Sequence, residues 1–105
     1  MSVVGNVVGG FVSKPKPTAK IAYIDLLASE WIKEGVYYSQ SVSIQGVTEN
    51  SQVDLTPSIE QLATFYDKDL GFVTENDGGN VTVYALGQKP QNDYTIQVTI
   101  TEVDV

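Results

Sequence analysis

The sequence predicts a mainly β fold: a small antiparallel β-sandwich of about six strands, one α-helix at about 57–70, and an extended N-terminal arm. Three observations lead there. Tyr94–Thr101 and several like segments alternate apolar and polar residues with period two, as strands with one face on a core do. Clusters of Gly, Asn, Asp and Pro separate these segments. One stretch, Asp54 to Gly71, has helical period instead: Ile59, Leu62, Ala63 and Tyr66 fall at i, i+3, i+4 and i+7, and Leu70 continues the stripe.

The domain division follows from composition. Residues 1–20 read as an arm, and 21–105 as the sandwich domain. The arm opens with VVGNVVGGFV, too rich in glycine for a helix and too apolar to gain from water. Its side chains Val3, Val4, Val7, Val8, Phe11 and Val12 are candidate interface residues. Lys14-Pro15-Lys16-Pro17 then reads as an extended spacer. The arm has no basic leader segment and is interrupted by glycines, so neither a signal peptide nor a transmembrane segment is expected.

The first strand is expected at 21–28, with Ala22, Ile24, Leu26 and Ala28 on one face and Tyr23 and Asp25 on the other. Trp31 should plug one end of the core before a turn around Lys33-Glu34-Gly35. In 37–45, Tyr38, Gln40, Val42 and Ile44 should face inward and Ser39, Ser41 and Ser43 outward. Val53 and Leu55 should point inward from a short strand that feeds the helix. Thr56 is the expected N-cap, Pro57 the first helical residue, Leu62 the main anchor, and Gly71 the left-handed C-cap. A strand at 72–75, the turn Asn76-Asp77-Gly78-Gly79 and a returning strand at 80–86 make a hairpin. In that return, Val81, Val83 and Ala85 oppose Thr82, Tyr84 and Leu86. After a turn-rich loop, Tyr94, Ile96, Val98 and Ile100 share the inner face of the last strand.

Charge and composition narrow the function. The chain of 105 residues carries net charge −7, with six lysines, no arginine, no histidine and no cysteine. Residues 21–105 hold three lysines against all thirteen acids, which disfavours a nucleic-acid partner. Without histidine, Ser39, Ser41 and Ser43 have no nucleophile-activating base of the usual kind. Asp67, Asp69, Glu75 and Asp77 lack calcium-loop spacing and read as solvated charge. Gly78-Gly79 has no following helix to make a phosphate loop. The expectation is a protein with no catalytic residues, no cofactor, no metal and no membrane partner. Most aromatics are accounted for as core or interface; Trp31, Tyr37 and Tyr84 are the candidates for stacking on a glycan.

Several segments together resemble a family. Ala28-Ser29-Glu30-Trp31, Tyr38 through Thr48 (YSQSVSIQGVT), Val53-Asp54-Leu55-Thr56-Pro57 and Pro90 through Val98 (PQNDYTIQV) are similar to a C-terminal β-domain. That domain occurs in fibre-, tail- or baseplate-associated virion proteins of phages and prophages of Gram-positive bacteria. The resemblance spans about residues 24–102. It departs at Val36-Tyr37-Tyr38, where the family often has proline before the tyrosine. It implies a non-enzymatic structural protein of a virion, made in the host cytoplasm. Its implied partners are copies of itself, with a trimer favoured, and other virion proteins. The alternative is a module that recognises host cell-surface glycan.

Overall fold

The computed structural model describes residues 19–103, so Val3 to Val12 and the lysine–proline spacer at 14–17 lie outside it. The described elements are β1 (Ala19–Leu26), a 3-10 turn (Ala28–Glu30), β2 (Ile32–Glu34), β3 (Tyr37–Val42), β4 (Ser51–Leu55), α1 (Ile59–Asp67), β5 (Leu70–Asp77), β6 (Asn80–Gly87) and β7 (Tyr94–Glu102). Among the described residues, the strands form two antiparallel sheets, ordered β1-β7-β4 and β2-β3-β6-β5.

The two-residue periods place the core where the sequence puts it. Ile24 and Leu26 on β1, Val53 on β4, Val81, Val83 and Ala85 on β6, and Ile96, Val98 and Ile100 on β7 are all buried. Each large aliphatic among them stabilises the fold by about 1.5–3 kcal/mol. Trp31 closes one end, 6% exposed and stacked on Phe72 at 6.0 Å.

The hairpin joining β5 to β6 turns on Gly78 and Gly79, at φ 62° and 98°. Two successive positive φ values make the tight turn whose twist matches its strands, and glycine adopts them without strain. Asn76 locks this end. Its Oδ1 accepts from the Gly79 amide at 2.9 Å, and its Nδ2 donates to the carbonyls of Thr48 and Ser51 at 2.9 and 2.8 Å. Thr74 Oγ1 donates to the Val53 carbonyl at 2.6 Å. Side chains of β5 thus occupy carbonyls along the free edge of β4. On the opposite side, the Gln40 amide bridges to the backbone of Leu27, accepting from its N–H at 3.2 Å and donating to its carbonyl at 3.1 Å.

Five local expectations need correction. The helix is capped by Ser58, whose hydroxyl accepts from the Gln61 amide at 3.2 Å, not by Thr56. Thr56 instead prolongs β4, its amide donating to the Gln97 carbonyl at 2.8 Å. The helix ends at Lys68, with Asp69 at φ 57° as the left-handed residue, and Gly71 lies inside β5. The anchor is Phe65, 5% exposed, while Ile59, Leu62 and Tyr66 are 73%, 47% and 89% exposed. The helix lies across the rim of the sandwich, so one ring enters the core and the longer apolar stripe stays outside. Residues around Lys33 are a strand, β2, turned into β3 through Gly35 at φ 66°. Ser39 lies on the outer face, as expected, but is covered there and donates to the Glu34 carboxylate of β2.

At the end of β7, the Glu102 carboxylate accepts from Ser51 Oγ and from Thr48 Oγ1, the latter at 2.9 Å. The Ser51 bond first, then the Thr48 bond, hold it below its ordinary 4.5, with Lys20 adding in the same direction. A carboxyl with a lowered folded value binds protons more weakly folded than unfolded. Its contribution is complete above the unfolded value and lost as pH falls through the folded one. Glu102→Gln should therefore flatten part of the acid limb below pH 4.5, measured as urea midpoints across a pH series.

Candidate functional site

The outer face of the four-stranded sheet is the best candidate. Registers align Ile32, Ser39, Tyr84 and Val73 in one row across β2, β3, β6 and β5. The adjoining row is Glu34, Tyr37, Leu86 and Gly71. Period two aims all of these side chains away from the core. Tyr37 and Tyr84 meet edge to face, with centroids 5.2 Å apart at 90°. Such pairs contribute about 0.5–1.5 kcal/mol beyond area burial. Around them Ile32, Val36, Val73 and Leu86 stand exposed.

Two carboxylates flank the rings. Tyr84 Oη donates to Glu75 Oε1 at 3.3 Å, and Glu34 accepts from Ser39. Partial burial first, then the charge and hydrogen bond of Glu75, then Glu34 and Tyr37, push the Tyr84 phenol above its ordinary 10.0. Tyr84 is therefore neutral at physiological pH. The arrangement offers apolar area, one ring face for stacking, and carboxylates that accept from hydroxyl or amide donors.

The three aromatics proposed for glycan contact separate here. Tyr37 and Tyr84 come together on the surface, each half-buried. Trp31 does not join them: it is in the core, because the 3-10 turn at Ala28–Glu30 swings it under Phe72. Asp67, Asp69, Glu75 and Asp77 are exposed, and the described residues hold no acidic cluster placed to bind a metal ion. Ile32, Val36, Val73 and Leu86 were not singled out in the sequence. Val73 and Leu86 sit on the polar side of their strands' alternation, a signal that pointed outward but not to an apolar patch.

Fold and face together define a two-sheet antiparallel sandwich with an acid-flanked aromatic platform. No family model, curated protein or solved structure matches the chain. No helix among the described residues is long and apolar enough to cross a membrane.

Proposed function

We propose that this protein is a non-enzymatic structural component of a phage or prophage virion, associated with a fibre, tail or baseplate, that assembles with copies of itself. The supporting observation is the amount of apolar surface left outside a small domain. Ile32, Val36, Val73 and Leu86 are exposed on one sheet face, Ile21 and Tyr23 on the other sheet, and Ile59 and Tyr66 on the helix. Scattered apolar residues are ordinary on a surface, but patches on several faces suit a subunit with neighbours. The resemblance of residues 24–102 to virion β-domains supports the particle. It also supports a trimer; the arm lies outside the resemblance, and its apolar residues at 3–12 are what favour contact with another chain. Immunogold labelling of particles from the host should place the protein on the virion; unlabelled particles would remove this reading.

The Tyr37–Tyr84 pair beside Glu34 and Glu75 favours a second reading, a receptor-binding module for cell-surface glycan. Its prediction is glycan-array binding that Tyr84→Ala abolishes while the fold, followed by circular dichroism, is kept.

A further inference from the structure

We infer that β1 is a self-pairing edge, joining two copies of this chain antiparallel about Ala22 into one continuous sheet. The strand order leaves β1 at the outside of its sheet, with eight residues in unbroken register against β7. The direction of its free backbone groups follows from the ladder. Thr56 N bonds Gln97 O across the β4–β7 line, so Gln97, Thr99 and Thr101 turn their peptide groups toward β4. Ile96, Val98 and Ile100 therefore turn theirs toward β1, where they meet Ile24, Ala22 and Lys20. The intervening residues, Ile21, Tyr23 and Asp25, aim N–H and C=O away from the sheet.

The other edges are managed differently. The β4 edge has carbonyls occupied by Thr74 and Asn76, and β2 is three residues long and carries Lys33 and Glu34. β5, the remaining edge, is as long as β1 and also without proline, but its outer face carries Gly71, Val73, Glu75 and Asp77. Among the described edge strands only β1 bears two large exposed apolar side chains. Ile21 and Tyr23 are 64% and 66% exposed on its outer face. Such an edge is a template for another strand.

The occupant is argued from complementarity. Antiparallel pairing about Ala22 sets Ile21 opposite the second copy's Tyr23, twice, related by the two-fold axis. A β-branched residue facing an aromatic is a favourable cross-strand pair. Charges agree. Residues 14–20 contain Lys14, Lys16 and Lys20 and no acid, whereas 25–30 contain Asp25 and Glu30 and no base. Antiparallel pairing brings the Lys20 end of one copy's β1 to the Asp25 end of the other, whereas parallel pairing would set Lys20 on Lys20.

This inference rests on the self-assembly in the proposed function, not on the virion, and the two fail separately. Light scattering on the purified full chain over a dilution series should show an even number of copies. Tyr23→Lys should halve that mass, whether the assembly is a dimer or a pair of trimers, with circular dichroism unchanged. Ala22→Cys, in a chain with no other cysteine, should form an interchain disulfide under mild oxidation. A monomeric wild type, a mass indifferent to Tyr23→Lys, or no disulfide from folded Ala22→Cys would overturn it. So would a rise in mass on deleting residues 1–13, because the edge would then be covered by the chain's own arm. Labelled particles alongside a monomeric protein would defeat the inference and leave the virion reading standing.

Discussion

Phe65→Ala is expected to destabilise the domain by about 3–5 kcal/mol, the range for emptying an aromatic site in a core. Phe65 is the one buried side chain of α1. Its ring meets Phe72 at 4.9 Å and 71°, and Tyr94 at 5.0 Å and 89°. Phe72 in turn stacks on Trp31. Truncation would remove one ring of a four-ring cluster, open a cavity beside the other three, and detach the helix from the rim. Leu62→Ala removes a side chain that is 47% exposed and should cost about 1 kcal/mol or less. For a domain whose whole stability is on the order of 5–15 kcal/mol, the first change takes a large part and the second does not. Urea unfolding of both variants checks this. A larger shift for Leu62→Ala would mean that the apolar stripe, and not Phe65, faces the sheet.

The second large effect is at Gly87. Its φ is 92°, and a Cβ there would stand 2.7 Å from the backbone oxygen of Asp69. Gly87 pairs with Leu70 where the chain leaves the helix for β5, and Asp69 itself holds φ 57°. Two unusual backbone conformations therefore press together at one crossing. Alanine would add about 1–3 kcal/mol of backbone strain, and the carbonyl it meets cannot move without disturbing the helix exit. Gly78→Ala is the control. Its φ is 62°, but nothing lies within 4 Å of the added carbon, so only the strain remains. Thermal midpoints should fall for both and much further for Gly87→Ala; equal shifts would show that the close approach to Asp69 relaxes at little cost.

Where a strand has one dry face, its alternation reports that face directly, because side chains at successive positions point to opposite sides. That is why Ile24, Leu26, Val53, the Val81–Val83–Ala85 series and Ile96–Val98–Ile100 were legible as core before any coordinate. The hairpin at Gly78-Gly79 was legible for a similar reason, since only that turn chemistry meets the twist of its strands. Trp31 is the end plug its position suggests, and that burial removes it from the glycan candidates; that Tyr37 and Tyr84 meet follows only from the β3–β6 register.

The helix shows what lies beyond a pattern. Ile59, Leu62, Ala63 and Tyr66 make the better stripe, yet Phe65 is inside, because a nine-residue helix on a rim is oriented by its two connections. Thr56 is held to Gln97 at one end and Asp69 turns left-handed at the other, and these long-range ties fix the rotation. Ser39 is buried for the same kind of reason: β2 lies beside it and Glu34 accepts its hydroxyl, neither of which its own alternation records. The sequence by itself determined which strands would pack, since burial of alternate residues is a local property. Only the tertiary structure decided which surfaces remained apolar and which edge remained open. Those depend on how far each strand's neighbours extend, and β1 is long where β2, on the other sheet, is short.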